Sequence, residues 1–396
     1  MVSRIIDIYK RIVSFEKQIG IIKNGDDNLY SERTDRYINN SVTAKTCARI
    51  MATYLTGKGW GDDENKLIVD KGNKTTLLKF TQRINQSVSK YRGVYIHVKY
   101  NGNFEPSAYK VLNFNNCRLG VEDDDKYVGK IGVSSKYDAK NIKTKDINFV
   151  DVFNIDKDIV KLQMEAQADK NASLTEMVSK YKGQILYVNL DEEYLYPLSQ
   201  IDPVINDCDS EAQTSIYKNR SLRKGYMGQK LIITKPMTGG VEDYDSPEHH
   251  QIAKNDALSF VNMIEGGVGA ENQGGVMVAE RSYEDDSLDD LIKVVDIGTN
   301  LDDKMFAFTE ESVFNNILMS FNSIPSGLVR PVNTLFGASS AAIQQMQLVY
   351  QDNTSTERNE TIQVVQFLMS VFMNPVTSLE LELLVSEEPT ETDQNG

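Results

Sequence analysis

The chain has 396 residues, and 40% of them are hydrophobic, enough to build roughly two to four structural units with real cores. Its formal net charge of −14 excludes a protein that coats nucleic acid generally. Three cysteines, Cys47, Cys117 and Cys208, lie far apart without CxxC spacing, which reads as free thiols in a reducing compartment, not a disulfide framework or a metal site.

The location of the charge says more than its size. Pro236–Glu311 holds 18 acidic and 4 basic residues, whereas the remainder balances 39 against 39. Just before this acidic insert, Lys218–Lys235 carries Lys218, Arg220, Arg223, Lys224, Lys230 and Lys235 with no acid. The opposite case is Ser312–Gln351, where Arg330 is the only charged residue in a chain that is 25% charged.

In chain order, the opening MVSRIIDIYKRIVSFEK is charged every few residues and reads as an amphipathic helix, not a signal peptide. No window of about 20 apolar residues exists, so no membrane span is expected. Residues 1–58 read as helical, with Val42, Cys47, Ile50, Met51, Tyr54 and Leu55 on one face, closed by Gly57 and Gly59. Trp60, the only tryptophan, is expected to be a packing anchor.

A second helix is expected over Thr75–Ser89. The period then changes from 3.6 to 2: Val94–Tyr100 alternates, and Asn101-Gly102-Asn103 marks a hairpin turn. His97 in that strand reads as half-buried, since no second ligand stands at metal spacing. Further strands are expected at 128–133, 149–153 and 183–188, which makes residues 60–197 a sheet-containing α+β unit. The intervening Ile155–Tyr181 is polar, with a helical piece near Ser173–Tyr181.

Asp202 and Pro203 open a long helix, with Val204, Ile205, Cys208, Ala212, Ile216, Leu222 and Tyr226 on one face and Gly225 and Gly228 at its end. Lys218, Arg220, Arg223 and Lys224 fall on its last turns, where cations also suit the helix dipole. In the acidic insert, Leu231–Thr234, Val276–Val278 and Leu291–Ile297 read as strands, and a helix is expected from Ser246-Pro247 to about Glu265. A further helix carries Val313, Phe314, Ile317, Leu318, Phe321 and Ile324. It breaks at Ile324-Pro325-Ser326-Gly327, and Ser339-Ser340 opens a last helical run toward Phe372. The acidic end of the chain, 376–396, is expected to be disordered.

No catalytic motif stands out. GxxxxGK[ST], GxSxG, HExxH and CxxC are all absent, and Gly266-Gly267-Val268-Gly269 reads as a turn. His249 and His250 are adjacent, so they face different sides of a helix and read as solvated. Glu284, Asp285, Asp286, Asp289 and Asp290 would suit a divalent metal in a nuclease, yet a run of surface acids is usually just solvated. No enzyme, cofactor, catalytic residue or metal ligand is expected.

The order of these features resembles the portal protein family of tailed bacteriophages, over about Ser41–Asn374. Tyr54-Leu55-Thr56-Gly57-Lys58-Gly59 is similar to that family's early helix and turn. Arg92–Val98 with Val111–Gly120 is similar to its wing hairpin. Tyr196-Pro197-Leu198, with the helix carrying Lys218-Asn219-Arg220-Ser221, is similar to its first stem helix, and the helix ending Phe321-Asn322-Ser323-Ile324-Pro325 to its second.

The resemblance implies an α+β, portal-like fold. Residues 1–197 would form an α/β wing, 198–227 the first stem helix and 228–303 a small α/β clip. Residues 304–324 would form the second stem helix, 325–340 the tunnel loop, 341–375 a wing/crown helix and 376–396 the acidic disordered tail. It implies a non-enzymatic ring, dodecameric in the family, at the capsid portal vertex of a virion and assembled in the host cytoplasm. Double-stranded DNA would pass during packaging and ejection. Terminase, the major capsid protein and tail adaptor proteins would be partners, and no membrane would be.

Pro325, Ser326, Gly327, Arg330, Asn333 and Thr334 would line the tunnel. The basic stem cluster, Lys218, Arg220, Arg223 and Lys224, would touch phosphates in passing or pair with the acidic clip of a neighbouring subunit. A conduit must not grip, because each cation that neutralises a phosphate adds affinity. Another ring-forming head-completion or capsid protein, and a metal-dependent nuclease built on residues 284–290, are the alternatives.

Overall fold

The alternating stretch read at 94–100 lies inside the main sheet. In a computed structural model, the described residues are 15–16, 19–121, 129–139, 142–191, 193–223, 230–234, 240–266, 292–296, 303–330 and 340–385. Six strands form the sheet: β1 (Gly93–Tyr100), β2 (Pro106–Val111), β3 (Cys117–Leu119), β4 (Lys130–Val133), β5 (Asn148–Val152) and β6 (Gln184–Asn189). Their order is β2-β1-β6-β5-β4-β3. All neighbours are antiparallel except β5 and β6, which pair in parallel through Asp151↔Gln184 and Val152↔Ile185.

Three helices precede the sheet: α1 (Tyr30–Asn40), α2 (Val42–Thr56) and α3 (Leu77–Tyr91). Ser41 caps α2 by accepting from the Ala44 amide at 2.9 Å. The period of 2 in β1 does what the sequence promised. Val94, Ile96 and Val98 enter the core with Leu77, Phe80, Ile84 and Val88 of α3. Tyr95 turns the other way, to a smaller cluster with Phe114, Cys117, Ile131, Val150 and Ile185. His97 is half-buried, and its Nε2–H donates to the Lys182 carbonyl at 2.6 Å. Trp60 is fully buried and donates from Nε1 to Thr81 Oγ1 at 2.9 Å.

Parallel neighbours need a crossover of a dozen or more residues. Here it is built from α4 (Lys157–Gln167) and α5 (Leu174–Lys180). The second matches the helical piece expected near 173–181. The first lies in the part that read only as polar: just Val160 and Met164 of it are buried, so one narrow apolar stripe holds it.

The chain divides into two units: residues up to Asp209 with those from Val313 onward, and Ser210–Ser312 between them. The boundaries fall inside α6 (Ile205–Arg223), which follows a 3₁₀ turn at Asp202–Val204, and inside α8 (Asp303–Ser320). The inserted unit also holds α7 (Pro247–Gly266). Its strands β7 (Lys230–Thr234) and β8 (Ile292–Asp296) pair antiparallel, with Ile232 opposite Val294. The strand expected at 276–278 and the acids at 284–290 lie outside the described residues.

After α8 come one helical turn, α9 (Ser326–Val329), and then α10 (Ser340–Asn353) and α11 (Ser355–Ser370). The run expected as one helix over 341–375 is therefore two. The joint is Thr354, whose hydroxyl donates to Tyr350 O at 3.0 Å. The Arg358 guanidinium, buried to 6% exposure, donates to Gln351 O at 2.8 Å and satisfies a C-terminal carbonyl of α10.

Two sequence expectations are corrected at the chain's ends. Phe15–Glu16 pairs antiparallel with Ile21–Ile22, so this part of the stretch read as helix is a small hairpin. Of the acidic end expected to be disordered over 376–396, residues up to 385 are described and tied to the body at several points. Leu381–Glu382 pairs with Gly59–Trp60, and Leu379 is 2% exposed. Gln351 binds both backbone groups of Val385, at 3.1 and 3.2 Å, and Gln366 donates to Leu379 O at 2.8 Å. Residues 386–396 lie outside the described residues.

Arg118 is a second anchor of the body. It is fully buried. It donates to Asn28 Oδ1 and Asn28 O, both at 2.7 Å, to Asn115 O and Cys117 O at 2.9 Å, and to Glu32 Oε1 at 2.8 Å. Its guanidinium also lies 4.6 Å from the Tyr137 ring centroid. Burial pushes the neighbouring Cys117 thiol up to about 12, against a lowering by Arg118.

Arg118→Ala is expected to lower the unfolding free energy by about 3–5 kcal/mol, because it strands Glu32 and three carbonyls around a cavity. Urea titration reads this directly. Gly57 has φ +58 and ψ −146, and a Cβ there would stand 2.2 Å from Glu382 O. Gly57→Ala should therefore cost at least about 2 kcal/mol. A melting temperature equal to the parent's would refute the close approach of the late strand.

Candidate functional site

The quiet stretch that begins at Ser312 is in part ordinary core. Val313, Phe314, Ile317, Leu318, Phe321 and Ile324 are all buried, in one cluster with Tyr350, Val365, Leu368, Met369 and Phe372. Spacing at 3.6 puts these side chains on one face, and burial alone explains why that face carries no charge.

The end of α8 is unusual. Asn322 and Ser323 both have φ of 55, the left-handed region, which costs a residue with a Cβ roughly 1–2 kcal/mol. Hydrogen bonds offset that cost. The Ser323 and Ile324 amides return to Met319 O and Leu318 O at 3.2 and 3.1 Å. Tyr350 Oη donates to Phe321 O at 3.2 Å. Asn322 Nδ2 donates to Asn353 O at 3.1 Å and to Glu357 Oε1 at 3.0 Å, and Asn353 Nδ2 returns to Asn322 O at 3.2 Å. The turn is thus clipped to the joint between α10 and α11. Pro325 follows, without an amide hydrogen to continue the helix.

Pro325 is the N-cap residue of α9, and Ser326 and Gly327 are its first two residues. Ser326 O accepts the Arg330 amide at 2.9 Å. The Arg330 guanidinium lies over the Phe314 ring, 3.7 Å from its centroid, while its side chain stays exposed. Asn333 and Thr334 lie outside the described residues. Beyond them, Ala341–Gln345 are exposed and 346–348 half-exposed, and no residue of 341–349 is charged. Burial does not explain that silence. Ile343 and Val349 are 37% and 43% exposed.

The basic stem cluster belongs to the inserted unit. Lys218 pairs with Glu310 of α8, so it has an acid of its own chain as partner. Arg220 and Arg223 lie on α6, and Lys224 lies outside the described residues. Within the other unit, Asn316 of α8 donates to Asp207 of α6 at 3.2 Å. Sequence reasoning missed Phe314 as the partner of Arg330, because the loop that joins them hides the pair. It also missed the Asn322 clip, although asparagine just before a proline break was a readable sign of a left-handed turn.

No protein family and no curated protein matches the sequence. Solved structures give a likeness of fold only. A chain in the virion of a native gene transfer agent (GTA) particle is 13% identical, with a TM-score of 0.49, covering 91% of this chain and 84% of that one. A chain in the neck of the native GTA particle, computed with C12 symmetry, is 13% identical with a TM-score of 0.49, covering 93% and 86%. One in the neck of the empty particle, computed with C6 symmetry, is 13% identical with a TM-score of 0.48, covering 88% and 84%. Among the described residues, no group of His, Cys, Asp or Glu is placed to hold a metal, and no helix is long and apolar enough to cross a membrane.

An exposed cation over an aromatic face contributes about 0.5–1 kcal/mol. Arg330→Ala is accordingly expected to cost no more than about 1 kcal/mol, whereas Phe314→Ala, which empties a core position, should cost about 3–5 kcal/mol. Parallel urea titrations separate the two. A loss above about 2 kcal/mol for Arg330→Ala would mean that it holds more than the ring.

Proposed function

We propose that the chain is a portal-type subunit. In this reading it forms a closed homo-oligomeric ring, twelve-fold as in the family it resembles, at the capsid vertex of a virion assembled in the host cytoplasm. The ring passes double-stranded DNA in packaging and ejection, docks terminase, the major capsid protein and tail adaptors, and does no chemistry of its own.

The observation that carries the reading is the run Ala341–Val349, exposed or half-exposed in the chain yet without a charge. A solvated helix face normally carries lysine and glutamate. A face that meets neighbouring subunits has reason to lose them, and a face that meets moving DNA has reason to lose its cations, because each phosphate neutralised adds affinity and salt dependence. Two further features support it. The inserted unit interrupts a body that closes again after α8, and α6 and α8 bracket that unit. The acids of Pro236–Glu311, repeated around a closed ring, would also sum to a field that keeps a duplex off the wall.

Lys218 pairs with Glu310 of its own chain, and in this reading Arg220, Arg223 and Lys224 act between subunits. Negative-stain images of the purified chain should show closed rings, and Lys218→Gln should leave them intact. Arg220→Gln, Arg223→Gln and Lys224→Gln together should abolish them. Rings that persist in the triple variant while DNA retention falls would place these cations on DNA instead. A chain that stays monomeric at micromolar concentration, alone and with capsid components, would sink the portal reading.

A further inference from the structure

The body carries a groove that the portal reading does not use. It runs between α2 and α3, has a volume of about 1010 Å³, and among the described residues is lined by four cations, Lys45, Arg49, Arg83 and Lys90, against one acid, Asp35. Lys90 and Asp35 satisfy each other at 2.7 Å. Lys45, Arg49 and Arg83 are exposed and make no ion pair among the described residues. In a chain of net charge −14, an unneutralised basic groove needs an occupant.

Gly57 also lines the groove, and it is the residue against which Glu382 O and Leu383 pack. The Lys58 amide donates to Glu382 O at 2.8 Å, and Gln351 holds Val385. The chain then continues as Ser386–Gly396, which carries Glu387, Glu388, Glu391 and Asp393 and no base. An extended segment of that length reaches roughly 35 Å.

We propose that the acidic segment 386–396 of this chain docks in the groove against Lys45, Arg49 and Arg83. The charges are complementary, and the segment departs from a strand that already packs on a groove residue. Exposed pairs of this kind are individually weak, but tethering supplies an effective concentration on the order of millimolar, so a contact too weak for a free peptide is populated. The docked segment would also screen three cations that otherwise offer phosphates a hold. Duplex DNA is the competing occupant. It is disfavoured here because the groove's own chain supplies an acid-rich segment within reach.

The test is carbodiimide cross-linking of the full chain, read by peptide mass spectrometry. Amide links from Glu387, Glu388, Glu391 or Asp393 to Lys45 are expected. Their yield should fall about fivefold or more in Arg49→Glu/Arg83→Glu and at 1 M salt, where screening reaches about 3 Å. Lys45→Arg keeps the charge but removes the amine, and should move the link to Lys90. Circular dichroism checks that each variant stays folded. Links scattered over other lysines, or a yield unchanged by the double substitution, would overturn the proposal. So would ultraviolet cross-linking of a short DNA duplex to the groove of the full chain.

Discussion

The body depends on how α8 ends. Its last turns and the residues just after them bury Phe314, Ile317, Leu318, Phe321 and Ile324 in one cluster with Met51 of α2, Tyr350 of α10 and Leu368 of α11, so the helix cannot drift outward. Its final carbonyls cannot be left bare in that setting, since a buried unmet acceptor costs about 1–3 kcal/mol. The chain meets this with two left-handed residues, a tyrosine hydroxyl and the mutual amides of Asn322 and Asn353. The turn, the proline and the direction of the following segment are all set there. Arg330 then settles on the back of Phe314, which gives the lone charge of the stretch an exposed place with no ion pair among the described residues.

Charge is handled differently in each part of the chain. Where a cation is fully enclosed, as at Arg118, it is saturated with carbonyls, an amide oxygen and one carboxylate. Where it is exposed on α6, Lys218 takes an acid of α8. Ala341–Val349 carries no charge although it meets solvent. The last pattern is the one that stability does not demand, because charged side chains would serve an exposed helix at least as well. It is therefore the one that points to a function.

Much of the fold was legible because period and punctuation agree locally. The switch from 3.6 to 2 between Thr75 and Tyr100, the Asn101-Gly102-Asn103 turn and the Ile324-Pro325 break each have a cause within a few residues. What stayed hidden was set from a distance. α4 reads only as polar because just Val160 and Met164 are buried, and the parallel pairing of β5 with β6 is what requires something to span that gap. Residues 376–385 read as an acidic tail because their partners, Gly59–Trp60, Gln351 and Gln366, lie elsewhere in the chain. Arg330 was legible as the odd residue of its stretch, but Phe314 was not legible as its partner. The inserted unit spans Ser210–Ser312 and takes in parts of both flanking helices, whereas composition marks only the acidic stretch Pro236–Glu311 within it.

The pairing of Leu381–Glu382 with Gly59–Trp60 has a consequence for biosynthesis. Roughly 320 residues separate the two strands, and at about 5–20 residues per second a ribosome needs on the order of 15–60 s to make them. Throughout that interval the edge beside Trp60 has no partner. The core positions on α2 and α3 that α11 will cover also wait. The inserted unit, by contrast, is fully synthesised well before the body can close. The nascent chain thus presents a finished inserted unit beside an unfinished body, and the apolar surface around Trp60 must wait until Leu381–Glu382 has been made.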